Sequence, residues 1–112
     1  MQYTSQNILV QPQPTADDPG LILSITPQDA GWAFIHFQVR RLAAGESWSF
    51  ATDENELALV NLTGTYAVDS SCGQWQQIGG RKDVFSAAAH VLYLPRRTEF
   101  TITAEEAGEF AV

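Results

Sequence analysis

The chain has 112 residues, of which 45% are hydrophobic and 17% are charged, so it is long and apolar enough to bury one core as a single domain. Its formal net charge is −7 at pH 7, and since this charge repels nucleic acid and anionic membranes, we expect neither as a partner. Cys72 is the only cysteine, which excludes an internal disulfide, and the sequence has no signal-peptide pattern and no apolar run of membrane-spanning length, so we expect a cytoplasmic protein.

The first third of the chain predicts a loop, a turn and two strands. Three prolines fall within residues 11–20 and indicate a loop, residues 21–25 predict a short strand, and residues 27–31 predict a turn. Along residues 32–39, alternate side chains point to opposite faces, which is the period of a strand. Both faces carry bulky side chains, so we expect this strand to pack on both sides.

The remainder of the chain predicts further short strands separated by Gly, Pro and Asp signals. The near-continuous apolar run at residues 57–62 is typical of a central strand. The spacing of roughly 8 to 12 residues between turn signals is typical of a β-sandwich or barrel, and no helical period competes with it. The last predicted strand runs to Val112, which suggests a truncated or divided chain. The predicted strands are 46–50, 57–62, 65–68, 75–78, 91–94, 99–103 and 109–112.

Cupin barrels bind a metal ion through two histidines and a glutamate on one strand pair and a further histidine on another, and the sequence can be checked for this pattern. The glycine spacing places Ala51, Asp53 and Leu57 at the first three ligand positions, and none of them matches. The fourth position falls on His90. Because a lone imidazole does not hold a metal, we expect no metal site in this chain. We interpret His90 as a loop or partly buried histidine, with the lining of a ligand pocket as the alternative.

Other chemistry-bearing residues also have two interpretations. We expect His36 to be a core or interface histidine bonded to backbone, since no second ligand lies near it in sequence. Arg81 and Lys82 follow a double glycine, and Arg96 and Arg97 follow a proline; these cations could meet a sugar carboxylate or could simply be solvated or ion-paired. The three tryptophans could line a sugar site, although packing is the better interpretation. No Ser-His-Asp arrangement or phosphate loop is present.

Several short motifs occur in a definite order between about residue 7 and the end of the chain. They are Ile25-Thr26-Pro27, Ala30-Gly31-Trp32, Phe37, the segment 41–47 (Arg-Leu-Ala-Ala-Gly-Glu-Ser), Gly80-Arg81, Val84-Phe85 and Tyr93-Leu94-Pro95. Their order and spacing resemble the 5-deoxy-glucuronate isomerases of inositol catabolism, a superfamily that includes the 5-keto-4-deoxyuronate isomerases. Arg96 and Arg97 replace the usual glycine after the Tyr-Leu-Pro run, and residues 87–90 replace a segment that often contains proline.

The resemblance implies an all-β, cupin-type jelly-roll barrel or sandwich over residues 1–112, forming the N-terminal half of a bicupin whose second half is absent. The family converts 5-deoxy-glucuronate, an aldose, into the ketose 5-dehydro-2-deoxy-gluconate through an enediolate. Its zinc site of three histidines and a glutamate belongs to the second half. The resemblance therefore implies no catalytic residue and no zinc in this chain, which alone is expected to be inactive.

For partners, the resemblance implies a small sugar acid and a homo-oligomer. We predict His90 and Arg81 as the substrate-binding residues of this chain. The alternative is a stand-alone, metal-free cupin that acts as a sugar-acid binding or oligomerisation module. A cupin with a His-x-His and Glu cluster encoded downstream of Val112 would favour the isomerase, and a stop codon would favour the module.

Overall fold

The computed structural model describes residues 2–12 and 15–112, and its secondary structure is nearly all β. Residues 13 and 14, part of the predicted loop at 11–20, lie outside the described residues. Within the described residues no helix is long and apolar enough to span a bilayer. The elements are β1 (Leu21–Ile25), α1 (Pro27–Ala30), β2 (Phe37–Leu42), β3 (Ser47–Ala51), β4 (Leu57–Asn61), β5 (Thr65–Ser70), β6 (Gly73–Gly79), β7 (Val91–Leu94), β8 (Glu99–Glu106) and β9 (Gly108–Ala111).

The strands form two antiparallel sheets that pack face to face. One sheet has five strands in the order β1-β2-β9-β4-β7, and the other has four in the order β3-β8-β5-β6. Side chains from both inner faces form the core, and the largest apolar ones are fully buried. The predicted all-β sandwich is therefore confirmed, although within the described residues the sheets do not close into one barrel. The largest fully buried apolar side chains are Leu59, Tyr66, Val68, Leu94, Ile102 and Phe110.

The segment between β1 and β2 differs from the prediction. Thr26 caps α1, since its hydroxyl accepts a hydrogen bond from the backbone of Asp29 while the Asp29 carboxylate accepts one from the Thr26 N–H. Gly31, at φ 75°, then ends the helix. The chain therefore turns where an extended strand was predicted, and β2 begins only at Phe37. Phe34 is 90% exposed, so the prediction of a strand packed on both faces from residue 32 was wrong.

The outer face of the five-stranded sheet carries an apolar stripe. Opposed residues of neighbouring strands share a face, and the register aligns apolar residues across all five strands. The Arg41–Glu109 ion pair, at 2.7 Å, lies on the same side. We call this surface the outer apolar face; its residues are Leu23, Ile25, Phe37, Val39, Ala58, Val60, Val91, Tyr93 and Ala111.

Candidate functional site

A cleft of about 630 Å³ opens between the beginning of β2 and the beginning of β4, where β9 ends. We call it the β2–β4 cleft. Aromatic and aliphatic side chains make up most of its wall, which is typical of ligand pockets in proteins. Its polar lining residues are His36, Gln38, Thr52, Asn55 and Glu56. The lining residues that matter below are Phe34, His36, Trp48, Phe50, Glu56 and Leu57.

Trp48 anchors the inner wall of the cleft. Its ring stacks on Phe50 with centroids 5.2 Å apart and meets Phe100 edge-on at 5.7 Å. On β2, the buried Arg40 places its guanidinium 4.0 Å from the Trp48 ring centroid. Cation–π contact and ring stacking therefore fix the indole. Since Trp48 packs against the core, the preferred interpretation of a packing tryptophan fits its position.

The buried charge of Arg40 is neutralised from the loop before β1. The Asp18 carboxylate accepts hydrogen bonds from both terminal guanidinium nitrogens, at 3.0 and 3.2 Å, and the Gln38 side chain accepts one from the third nitrogen. A carboxylate that accepts hydrogen bonds from two nitrogens of one guanidinium forms a bidentate ion pair, and such pairs are stronger than hydrogen bonds between neutral groups. This Arg40–Asp18 pair was not predicted from the sequence. If the strand alternation is extended from Gln38 to Leu42, Arg40 falls on the inner face. A buried arginine there would have predicted a carboxylate counter-ion.

The polar groups at the cleft mouth are few. His36 is exposed and lines the cleft, and β2 begins one residue after it, so the expectation of a core histidine was wrong; the alternative of an interface histidine stays a prediction. Glu56 accepts a hydrogen bond of 2.8 Å from the hydroxyl of Tyr93. That bond raises the pKa of Tyr93 above its usual range, and slight burial and the negative charge of Glu56 act in the same direction. The positive charge of Arg96 opposes the shift.

The three positions where cupins carry their first metal ligands lie at the end of β3, in the loop to β4 and at the first residue of β4. Ala51 and Leu57 offer no donor atom. Asp53 stands in the left-handed region at φ 51°, and its carbonyl accepts a hydrogen bond from the backbone of Arg97. No group of three His, Cys, Asp or Glu side chains converges anywhere in residues 2–12 and 15–112. These residues do not fit a cupin metal.

Arg81 lies at the other end of β4, away from the cleft. Its side chain donates to the carbonyls of Asn61 and Leu62, at 2.8 and 2.9 Å, and to those of Val84 and Ala87 in the following loop, at 3.4 and 2.8 Å. Four of the five guanidinium N–H groups are thus engaged with backbone. Arg81 holds the β6–β7 loop against the end of β4. Its role as a substrate ligand stays a prediction.

His90 sits beside the same backbone, immediately before β7. Its Nδ1 accepts a hydrogen bond of 2.8 Å from the backbone of Gly79, and its carbonyl accepts one of 3.1 Å from Asn61. The imidazole is exposed, so its Nε2 remains available at the surface. The structure brings His90 and Arg81 to the same end of β4. His90 as a substrate-binding residue also stays a prediction.

Comparison with protein families and curated proteins identifies relatives over nearly the whole chain. The model of the KduI/IolB family matches residues 8–112. The chain is 30% identical over 105 residues to a 5-deoxy-glucuronate isomerase of Geobacillus kaustophilus (strain HTA426), covering 93% of this chain and 38% of that protein. A 5-deoxy-glucuronate isomerase of Geobacillus thermodenitrificans (strain NG80-2) is 30% identical over 97 residues, 86% of this chain and 35% of that protein. The chain thus spans well under half the length of these relatives.

Two solved structures share the fold. An IolB-like protein from Salmonella typhimurium LT2 superimposes with a TM-score of 0.79 at 36% identity, covering 92% of this chain and 40% of that one. The cupin domain of Schizosaccharomyces pombe Cnp3 superimposes with a TM-score of 0.52 at 19% identity over 68% of this chain and 51% of that one. The second similarity concerns the fold alone. Together with the two-sheet architecture, these similarities confirm the predicted cupin-type fold.

Proposed function

The chain belongs to the KduI/IolB family, and we propose that it forms the N-terminal, metal-free cupin part of a 5-deoxy-glucuronate isomerase. The observation that carries the proposal is the 30% identity to a 5-deoxy-glucuronate isomerase along 93% of this chain. Because the same stretch is only 38% of that relative, we assign the chain a part of the enzyme and not the whole activity.

The proposed reaction moves a proton between adjacent carbons of an open-chain deoxy-uronate and converts an aldose into a ketose in inositol catabolism. Such chemistry needs an electrophile for the developing oxyanion and a positioned base. The donor set at Ala51, Asp53 and Leu57 does not supply a metal site. We therefore propose that the zinc that the family resemblance implies is held by the second half of the enzyme, and we assign no catalytic residue to this chain.

The proposed contribution of this chain is surface for association and contacts to the sugar acid. The outer apolar face would be covered by another part of the enzyme or by a second subunit, since exposed apolar patches mark interaction sites. This surface also supports the alternative of an oligomerisation module. We keep Arg81 and the free Nε2 side of His90 as proposed contacts to the substrate carboxylate, and we propose the cytoplasm as the site of action.

A chimaera tests the proposal. This chain replaces the matching stretch of the Geobacillus kaustophilus 5-deoxy-glucuronate isomerase, and conversion of 5-deoxy-glucuronate is followed by NMR beside the isolated chain, with and without added zinc. We expect turnover by the chimaera and none by the isolated chain. As a control, Leu59→Asp in the chimaera buries a charge in the core and should abolish activity.

Two outcomes would contradict the proposal. Turnover by the isolated chain that keeps a constant specific activity through purification would place the catalytic groups inside these residues. A chimaera that folds, binds zinc and lacks activity would instead favour the stand-alone module.

A further inference from the structure

Gly79 and His90 form a hydrogen bond that joins the two sheets. Gly79 ends β6, in the four-stranded sheet, and His90 immediately precedes β7, in the five-stranded sheet. The backbone N–H of Gly79 donates to Nδ1 of His90 at 2.8 Å. A Cβ on residue 79 would lie 2.5 Å from Cγ of Asn61 and 2.6 Å from the carbonyl oxygen of Gly64, so only glycine fits at this position. The absence of a side chain at Gly79 therefore allows its N–H to reach the imidazole.

This hydrogen bond fixes which ring nitrogen of His90 carries the proton. A neutral imidazole has one acceptor nitrogen and one donor nitrogen, and the nitrogen that accepts a hydrogen bond has no proton of its own. Because Nδ1 accepts from Gly79, the proton of the neutral ring is on Nε2. The side chain is exposed, so a bound molecule can reach Nε2. To such a molecule His90 can donate a hydrogen bond, but it cannot accept one.

Arg81 brings an unbalanced positive charge to the same place. The carbonyl of Asn61 accepts a hydrogen bond from Arg81, and the N–H of Asn61 donates to the carbonyl of His90, so one residue of β4 joins the two. Within residues 2–12 and 15–112, Arg81 forms no ion pair with a carboxylate, whereas the other four arginines each form one. Its partners there are neutral carbonyls, which leave one of its five N–H groups without an acceptor. A partly buried guanidinium in this state favours an anionic group as its next partner.

We propose that Gly79 is a positioning residue, whose N–H holds His90 in the form protonated at Nε2, so that His90 and Arg81 both donate hydrogen bonds to the carboxylate of a sugar acid. The identity of the ligand rests on the proposed function, but the state of the imidazole does not. The two side chains offer donors and a positive charge, so they select a sugar acid over a neutral sugar of similar shape. Because neither ring nitrogen has a free lone pair, His90 binds the substrate and does not act as a base.

Two substitutions of His90 separate the roles of its two nitrogens. His90→Asn keeps an acceptor oxygen near the position of Nδ1 and loses the outer donor, whereas His90→Gln places an amide N–H near the position of Nε2 and loses the inner acceptor. His36→Gln, at the other histidine of the chain, is the matched control. NMR gives the nitrogen chemical shifts of the His90 ring and the exchange rate of the Gly79 amide. Glucuronate and glucose are titrated into the unsubstituted chain and the three variants.

We expect the shift of an unprotonated nitrogen at Nδ1 and that of a protonated nitrogen at Nε2. The Gly79 amide should exchange about tenfold faster in His90→Gln than in His90→Asn, because only the glutamine variant loses the acceptor. The unsubstituted chain should bind glucuronate more tightly than glucose, and His90→Asn should weaken glucuronate binding by about tenfold or more, with a smaller loss in His90→Gln and none in His36→Gln.

The two parts of the proposal fail separately. A proton on Nδ1, a mixture of the two forms, or equal exchange of the Gly79 amide in both His90 variants would overturn the positioning role of Gly79. Glucuronate binding that is absent, or that His90→Asn leaves unchanged, would overturn the carboxylate contact. Neither measurement requires turnover, so these failures can be told apart from an inactive chimaera, which contradicts only the proposed isomerase.

Discussion

The guanidinium carbon of Arg40 lies 4.0 Å from the ring centroid of Trp48, on the inner face of the sandwich. Only 8% of Arg40 is exposed, and Asp18, 22 positions earlier in the chain, supplies the carboxylate that balances its charge. Because a buried cation needs a counter-ion, the contact with Asp18 makes the loop before β1 part of the core architecture.

Asp18→Asn should expose the dependence of Arg40 on that carboxylate. We expect the free energy of unfolding to fall by about 1–3 kcal/mol, because the substitution leaves a desolvated cation without its counter-ion. Arg40→Met removes the charge and keeps an apolar contact with Trp48, so adding Asp18→Asn to Arg40→Met should have little further effect. Urea unfolding of the four proteins measures the coupling. Additive losses would show that the two residues act independently.

Arg81→Ala should loosen the β6–β7 loop. The side chain donates four hydrogen bonds to carbonyls, and we expect its removal to lower the free energy of unfolding by about 2–3 kcal/mol. Arg81→Lys should recover only part of this, since an ammonium cannot reach both sides of the loop with fork geometry. Lys82→Ala, at an exposed neighbour, is the control. Unchanged stability with lost binding of 5-deoxy-glucuronate would instead assign Arg81 to the substrate.

Gly64 and Gly45 form a matched pair that separates backbone strain from steric contact. Both have positive φ, 81° and 85°. A Cβ at Gly64 would lie 2.8 Å from the Ala107 carbonyl oxygen, whereas one at Gly45 would meet nothing within 4 Å. We expect Gly45→Ala to cost about 1 kcal/mol of stability and Gly64→Ala clearly more, about 2–4 kcal/mol. Similar melting temperatures for the two variants would contradict the tight approach at Gly64.

Tyr66 should make the protein sensitive to alkali. Burial, and secondarily the negative charge of Glu109, raises the pKa of Tyr66 well above its usual range. The unfolded chain releases this proton near pH 10 while the folded chain retains it, so stability is present below about pH 10 and falls as pH rises further. Tyr66→Phe removes the 2.7 Å hydrogen bond to Thr63, which should cost about 1 kcal/mol at pH 7. The same variant should show a flatter decline in stability between pH 10 and 12 in denaturant titrations.

The outer apolar face should drive association of the isolated chain. We expect a dimer or larger species in sedimentation velocity at micromolar concentration, and Val91→Lys should shift it toward monomer because Val91 is 62% exposed on that face. Gln76→Lys, an equal gain of charge on β6 in the other sheet, should leave association unchanged. A clean monomer of the unsubstituted chain would contradict the expectation.

Most of the strands could be predicted because their signals are local. Residues 91–94 were predicted with their observed bounds, since Pro95 lacks the N–H that would continue the ladder. The alternation at 32–39 misled for an equally local reason: the reciprocal Thr26–Asp29 cap and the left-handed Gly31 redirect the chain before an extended strand can form. A half-buried strand needs apolar side chains at every second residue, but this pattern does not produce a strand directly after a capped helix that ends at a left-handed glycine.

The candidate site was less predictable because it depends on contacts between distant segments. The Arg40–Asp18 pair joins β2 to a loop, and the β2–β4 cleft exists only where three strands of different sequence position meet. Neither leaves a spacing pattern in the sequence. The failed ligand count at Ala51, Asp53 and Leu57 needed only spacing, and the expectation of no metal in this chain stays a prediction.

β9 lies between β2 and β4, and its Ala111 pairs with Val39, which stands 72 positions earlier in the chain. During synthesis, β2 and β4 must therefore wait for most of the polypeptide to leave the ribosome before the five-stranded sheet can form. At a typical elongation rate of about 5–20 residues per second, this wait lasts for seconds. Non-local pairing of this kind also slows folding itself. The β1–β2 pair and the β5–β6 hairpin join strands that are close in sequence, so we expect both to form in the nascent chain before β9 emerges.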